Sequence, residues 1–291
     1  MPLFMMVSGF LFAMRRYPMD RPEDYKKFVV DKFKRLMIPY FCISGILIGV
    51  KFVAGRFFSL QNPIDNDVWR HLFLEPLGGF ASFLWFIYAL FIIFLIFPLA
   101  CRVIRSDLAL LVVAILVSMV PVTRLFGLDL AIRHLPFFCL GYVLWRKFPH
   151  ILNGRGATAL AIVGSIVLGY GISLAAQPLE PGTPSYRACI LGIGLCGAVV
   201  CFLISVWVAG FNGLIRKVFL VAGIYSSGIY LMHTSAMGAT RVFLFQVLHL
   251  DKTWFEASIF FVCAVGLMAP LVVQKYILQR HRILSRLILG K

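Results

Sequence analysis

The stretch GIYSSGIYLMH at Gly223–His233 lies inside a long apolar segment and carries polar side chains where most of its neighbours are aliphatic. On a helix, Ser226, Tyr230 and His233 occupy positions i, i+4 and i+7, so they share one face. An ionisable side chain that faces lipid is costly, so His233 is expected to face a protein interior or a wet cavity. This face therefore predicts either one wall of a polar site or a helix-packing contact in which His233 bonds to a neighbouring carbonyl.

The rest of the chain is also strongly apolar. Of its 291 residues, 61% are hydrophobic and 14% are charged, and the mean hydropathy is +0.91, which is well outside the average for soluble domains. Apolar runs near the bilayer-spanning length of roughly 20 residues recur along the chain. The sequence lacks the alternating strands of an outer-membrane barrel. The composition predicts an all-α, polytopic membrane bundle that forms a single domain over residues 1–291.

The positive charges give this predicted bundle a direction. Of the 28 Lys and Arg residues, 20 fall in segments assigned to one side, and the positive-inside rule makes that side cytoplasmic. We therefore predict a multi-pass protein of the cytoplasmic (inner) membrane with a cytoplasmic C-terminus, an amphipathic segment at Arg15–Arg35 on the inner face and an outer loop at Gln177–Arg187. The nine predicted apolar segments, the first incomplete, are Met1–Met14, Leu36–Ala54, Phe83–Cys101, Leu108–Val122, His134–Trp145, Ala157–Ala176, Ala188–Gly210, Val218–Met237 and Phe255–Tyr276.

Other classes of partner have little support in the sequence. The formal net charge is +16, but it follows the predicted topology, and no basic-aromatic motif for nucleic acid appears. The seven cysteines lie in or at the edges of apolar runs without a CxxC pair. They are interpreted as small buried hydrophobes, so we predict neither disulfides nor a metal site.

Five stretches of the chain carry motifs that can be compared with known families. They are PLFMMVSGFLF at Pro2–Phe12, KFKRLMIPY at Lys32–Tyr40, LWFIYAL at Leu84–Leu90, LPFFCLGYVL at Leu135–Leu144 and the stretch at Gly223–His233. In order and spacing they resemble the membrane-bound acyltransferase 3 family, and the sugar O-acetylase branch, which includes fucose 4-O-acetylase-like proteins, is nearest. The resemblance covers essentially the whole chain.

This resemblance implies both an activity and a departure from the family pattern. It implies an enzyme of about ten spans that moves an acyl group, usually acetyl from cytoplasmic acetyl-CoA, onto a hydroxyl of a glycan or lipid-linked sugar. The family's first helix, which carries the histidine usually taken as catalytic, normally precedes the motif at Pro2–Phe12, where this sequence has only Met1. We therefore expect either a start codon assigned too late or a truncated product whose activity is in doubt.

O-acylation needs a base near the acceptor hydroxyl, stabilisation of the oxyanion and a site that keeps the thioester from water. His233 is the candidate base among the residues present, because histidine titrates near neutrality. It lies 16 residues beyond Lys217, or roughly 24 Å along a helix at 1.5 Å per residue. This depth is nearer the outer face than the cytoplasmic CoA, so an acceptor-side role is predicted.

Candidate contacts for the acceptor lie at similar depth. Ser226 and Tyr230 share the face of His233, Trp85 and Tyr88 begin their own span, and His134 stands at an outer helix start. Aromatic rings suit the faces of sugars. The alternative for Trp85 and Tyr88 is the interfacial aromatic belt that membrane proteins commonly have.

Candidate contacts for the acyl donor lie on the predicted inner side. Lys32 and Arg35 are three residues apart and face the same way on a helix, while Arg15 and Arg16 follow the first motif. CoA carries a pyrophosphate and a 3′-phosphate, which clustered Arg and Lys side chains can bind. The alternative is topological orientation with attraction to anionic lipid, favoured for Arg15 and Arg16, whereas Arg35 falls on a family motif position. No bound cofactor is predicted, since acetyl-CoA or another acyl-CoA is a substrate.

Two other functions stay open from the sequence. A polytopic transporter or glycolipid flippase would share this composition, but none of the twelve Asp and Glu residues lies in the middle of a span. Ion-coupled carriers commonly use an intramembrane carboxylate. A non-catalytic accessory membrane subunit also stays open, because the family's first helix is not seen.

Overall fold

The computed structural model describes residues 1–15, 17, 21–59, 66–77, 79–148, 155–251 and 254–290. These residues are 85% helical and contain no strand, which confirms the all-α prediction. Arg16, one of the predicted donor contacts, lies outside the described residues. The helices are α1 (Pro2–Arg15), α2 (Pro22–Lys32), α3 (Ile38–Ala54), α4 (Val68–Phe73), α5 (Trp85–Val103), α6 (Asp107–Met119), α7 (Leu128–Lys147), α8 (Arg155–Ala176), α9 (Pro184–Ala209), α10 (Leu214–Val242), α11 (Phe255–Tyr276) and α12 (Arg282–Leu284).

Seven helical segments in the described part of the chain are long and apolar enough to cross a membrane. The shorter apolar helices α1 and α6 coincide with two further predicted segments. The chain is therefore a multi-pass helical membrane protein, and the number of crossings stays a prediction. The seven segments are Pro22–Ala54, Ala81–Val103, Leu125–Lys147, Gly156–Ala176, Pro184–Ala209, Leu214–Val247 and Glu256–Arg280.

The predicted amphipathic segment continues into the first long span without a break in helical structure. A π turn at Phe33–Met37 joins α2 to α3. Pro39 follows in the first turn of α3, and its ring nitrogen has no hydrogen to donate to the carbonyl of Arg35 four residues earlier. A π turn accommodates such a local loss of the regular α-helical bond.

Contacts divide the described chain into two compact units, and each is considered by itself. The first unit comprises Met1–Phe28, Ile92–Arg124 and Leu128–Lys217. The second unit comprises Val29–Phe91, Leu125–Gly127 and Val218–Lys291.

Two glycines bring α1 and α7 together in the first unit. Gly9 lies against the backbone of Phe138, and Gly141 lies against the backbone of Met6. The side chains of Met6 and Phe138 are fully buried at this seam. Small residues let two membrane helices approach closely enough for backbone contact. Both glycines belong to the motifs quoted above, so two of the motifs meet in one helix pair.

The other end of α7 is joined to α6 by an ion pair. Arg146 Nε lies 3.1 Å from a carboxylate oxygen of Asp107, and the side chains are 52% and 9% exposed, respectively. The guanidinium of Arg146 also donates to the hydroxyl of Tyr142 at 2.7 Å. Because a largely buried carboxylate needs a partner, this pair holds the start of α6 to the end of α7.

Close packing in the second unit again involves a motif glycine. The amide of Gln274 on α11 lies directly against Gly228 on α10. Gln274 is fully buried, and neither its oxygen nor its nitrogen has a hydrogen-bond partner in the described part of the chain. At the other end of this unit, Leu289 is buried and Gly290, with a φ of 65°, lies against the carbonyl of Arg35. The C-terminal segment thus packs beside the π turn.

Candidate functional site

A cavity of about 580 Å³ in the first unit is lined by the end of α6 and by the starts of α1, α7 and α9. This volume falls in the range of small-molecule sites in proteins. The cavity joins two regions that the predicted topology places outside, the loop Thr123–Arg133 after α6 and the loop Gln177–Arg187 before α9. Its polar lining consists of Ser118, Asp129, Arg133, His134, Tyr186 and Arg187, and its apolar lining includes Val120, Ile132, Phe137, Ile190 and Leu191.

His134 is the titratable imidazole in this lining. Its Nδ1 lies 2.8 Å from the carbonyl oxygen of Leu130, one helical turn earlier. A carbonyl can only accept a hydrogen bond, so Nδ1 carries the proton and Nε2 bears the lone pair of the neutral ring. The backbone bond therefore fixes the tautomer. A neutral ring in this tautomer can accept a hydrogen bond or a proton from a hydroxyl at Nε2.

The charged side chains of the lining come from two different helices. Asp129 is 6% exposed and lies in the first turn of α7, where the positive end of the helix dipole stabilises a carboxylate. Arg133 follows one turn later on α7, and Arg187 lies in the first turn of α9. Both arginines are exposed, and within the described residues neither has a carboxylate within 4.0 Å.

The predicted base His233 lies in the second unit and has partners on both ring nitrogens. Nδ1 lies 2.8 Å from the carbonyl oxygen of Tyr230 and 3.0 Å from that of Ile229. Nε2 lies 3.1 Å from the hydroxyl of Thr234, which donates to it when the ring is neutral. Both carbonyls belong to α10 itself, so the Nδ1 bond does not join two helices, and Nε2 is the accepting atom.

The structure brings some of the predicted acceptor contacts together around His233. The ring of Tyr230 lies 6.2 Å from that of His233, and the ring of Phe83 lies 6.3 Å from it. The hydroxyl of Tyr230 donates to the carbonyl of Phe83. Ser226 lies two turns earlier on the same helix, and its hydroxyl donates to the carbonyl of Gly223 at 2.8 Å.

The remaining aromatic candidates pack in the second unit around α5. The hydroxyl of Tyr88 donates to the carbonyl of Phe73 at 2.9 Å, and its ring lies 5.4 Å from that of Tyr40. Trp85 is half-buried, and its ring lies 6.2 Å from that of Phe86. Tyr88 is thus largely inside the protein, while Trp85 keeps part of its surface accessible.

The predicted donor contacts are divided between the two units. Arg15 ends α1 in the first unit and is exposed, and its guanidinium lies 3.4 Å from the hydroxyl of Tyr17. Lys32 and Arg35 lie at the junction of α2 and α3 in the second unit, and Arg35 is exposed. Arg286 is also exposed in this unit, on the segment Ser285–Leu289 that packs against α3.

Sequence reasoning missed most of the cavity in the first unit. It identified His134 but not Asp129, Arg133, Tyr186 or Arg187 as members of a site. The adjacent pair Arg133-His134 at a helix start was the available signal. Nothing in the sequence joined this pair to the start of α9. In the described ranges, no group of three or more His, Cys, Asp or Glu side chains could hold a metal ion.

A family model described as an acyltransferase domain, Acyl_transf_3, matches residues 1–273. The chain belongs to the acyltransferase 3 family. A search of curated proteins and a search of solved structures each found no match. As a member of this family the chain is expected to transfer an acyl group, and the five motifs fall inside the matched residues. The motif glycines Gly9, Gly141 and Gly228 each lie at a close contact between two helices.

Proposed function

We propose that this chain is a membrane-bound O-acyltransferase that moves an acetyl group from cytoplasmic acetyl-CoA to a hydroxyl of a glycan or lipid-linked sugar, within the cytoplasmic membrane. Membership of the acyltransferase 3 family supports the reaction class. The observation that carries the proposal is the cavity of the first unit, because it combines space for a sugar with a histidine of fixed tautomer.

The proposed reaction has simple requirements. The oxygen of the acceptor hydroxyl attacks the carbonyl carbon of the thioester, and its proton passes to a histidine Nε2. The carbon–sulfur bond then breaks, and the CoA sulfur leaves as a thiolate that takes up a proton. A positioned base contributes roughly 10²–10⁴-fold to such a step. Hydrogen-bond donors aimed at the developing oxyanion lower the barrier further.

His134 is the proposed base, because it lines the cavity and its Nδ1 is held by Leu130. His233, the candidate from the sequence, has the same kind of Nδ1 bond and stands as the second assignment. Tyr186 in the cavity and Tyr230 beside His233 are the corresponding aromatic contacts for a sugar. The two assignments differ in which histidine, when replaced, stops transfer.

The test is acetyl transfer by the purified full chain from radiolabelled acetyl-CoA to O-deacetylated glycans and lipid-linked sugars, read as alkali-labile acetyl ester on the sugar. We expect His134→Gln to lower kcat by roughly 100-fold or more, with an unchanged melting temperature. His233→Gln, the matched control, is expected to lose much less. A larger loss in His233→Gln would mean that His233 is the base, and the proposed reaction would still hold.

A different result would contradict the function itself. Movement of a lipid-linked sugar between the leaflets of reconstituted vesicles, without any ester formed from acetyl-CoA, would refute acyl transfer and support the flippase alternative. Transfer at the wild-type rate in both glutamine variants would refute both base assignments.

A further inference from the structure

Two arginines from separate helices line the cavity of the first unit. Arg133 comes from the second turn of α7 and Arg187 from the first turn of α9. A guanidinium is charged at any pH that a protein meets. Both side chains are exposed and, in the described part of the chain, neither has an acidic partner within ion-pair distance. They are thus available to a ligand that enters the cavity.

The backbone adds positive potential at the same place. Both α7 and α9 begin at the cavity, and they are 20 and 26 residues long. Each helix start carries a partial positive charge and amide hydrogens that favour anions. The acidic side chain of the described lining, Asp129, lies in the first turn of α7 and offsets the positive potential of that helix start, so the potential left unbalanced is that of the α9 start. The positive charges of the two guanidinium groups are not offset in this way, since neither has a carboxylate of the described residues within ion-pair distance.

Membrane orientation does not account for these two arginines. In the predicted topology, Arg133 and Arg187 lie at the outer loops, whereas 20 of the 28 basic residues lie on the inner side. The positive-inside rule acts through the inner residues and requires none outside. A basic cavity among outer loops therefore calls for a ligand.

We propose that the acceptor carries a fixed negative charge, a carboxylate or a phosphate, and that Arg133 and Arg187 bind this group in the cavity. The inference rests on the proposed function for the identity of the ligand as acceptor. Arginine presents paired N–H donors that match the oxygens of either anion. Tyr186 supplies an aromatic face and a hydroxyl beside them, which suits the sugar ring that bears the charge. His134 then lies in the same lining as the anchored group.

The experiment measures binding separately from transfer. The full chain, purified in a detergent without a sugar headgroup, is titrated with methyl glucuronoside, glucose 6-phosphate and uncharged methyl glucoside. We expect at least one charged sugar to bind roughly tenfold tighter than the uncharged sugar, with a preference that declines as salt is added. Arg133→Gln and Arg187→Gln should each remove most of that preference, again roughly tenfold.

Arg124→Gln is the matched control, because Arg124 is an exposed arginine of the same predicted outer loop that does not line the cavity. It should bind both charged sugars like the wild type. Tighter binding of the glucuronoside would identify an acidic sugar, and tighter binding of the sugar phosphate would identify the phosphate of a lipid-linked sugar. Equal binding of charged and uncharged sugars, or an equal loss in Arg124→Gln, would overturn the inference.

Three further outcomes separate this inference from the proposed function. If phosphatidylglycerol vesicles displace the charged sugars with the same dependence on Arg133 and Arg187, the site binds a lipid headgroup and the acceptor assignment is overturned. If the wild type and both arginine variants acetylate an uncharged sugar as fast as a charged one, the anionic acceptor is refuted and acyl transfer stands. Binding of a charged sugar without any acetyl transfer would refute acyl transfer and retain the anion site.

Discussion

The contact between α1 and α7 leaves no room for a methyl group at Gly141, and Gly141→Ala tests how much stability depends on it. A Cβ there would overlap the carbonyl oxygen of Met6 and would lie 2.7 Å from its carbonyl carbon and 2.9 Å from the nitrogen of Phe10. Non-bonded carbon atoms prefer about 3.5–4.0 Å, so the helices would have to separate by roughly 1 Å. Because the obstacle is backbone, no change of side-chain rotamer relieves it.

The expected cost follows from this displacement. Overpacking of a close contact typically costs about 1–3 kcal/mol, and a gap of 0.5–1 Å elsewhere along the seam forfeits roughly a quarter to a half of each dispersion contact. We expect Gly141→Ala to lower the free energy of unfolding by an amount near the upper end of this range, about 2–3 kcal/mol. At about 2–4 °C for each kcal/mol, the melting temperature should fall by roughly 5–10 °C. Thermal unfolding in detergent, followed by intrinsic fluorescence, measures the fall.

Gly164→Ala is the matched control, since nothing lies within 4 Å of a Cβ built at that position on α8. It should leave the melting temperature unchanged or raise it slightly, because alanine favours a helix over glycine by about 0.5–1 kcal/mol. Gly9→Ala on the opposite side of the seam should resemble Gly141→Ala. The double variant should cost less than the two losses together, because one displacement accommodates both methyl groups. A melting temperature within about 2 °C of wild type for Gly141→Ala would refute this account of the seam.

Three other features of the structure and topology can be tested in the same way. Gln274→Met should raise the melting temperature by several degrees, because a buried amide without a partner costs about 1–3 kcal/mol; a fall would mean that the amide has a partner. Asp107→Asn should lower it by about 2–4 °C, since it weakens the pairing with Arg146, and an unchanged value would show that the pair contributes nothing. A topology reporter fused after Lys291 should report cytoplasm and one inserted near Pro181 should report the outer side; the reverse pattern would contradict the predicted layout.

The sequence alone was enough to predict the all-α membrane class and the acyltransferase 3 family. Spans are encoded locally, because a run of about 20 apolar residues can satisfy its backbone in lipid only as a helix. The order of the motifs was enough to identify the family for the same reason, since each motif is a short continuous stretch of sequence.

Only the tertiary structure decided which distant residues meet. Gly9 and Gly141 are far apart in sequence. Nothing in either motif indicates that Gly9 packs on the backbone of α7 and that Gly141 packs on the backbone of α1. The cavity likewise needs Arg187 from the start of α9 beside Arg133 and His134 from α7. Hydrophobic periodicity tells which residues share a face of one helix, but not which helix covers that face. Helix pairing depends on backbone approach and side-chain shape across the whole bundle, so the site appears only once the helices are packed.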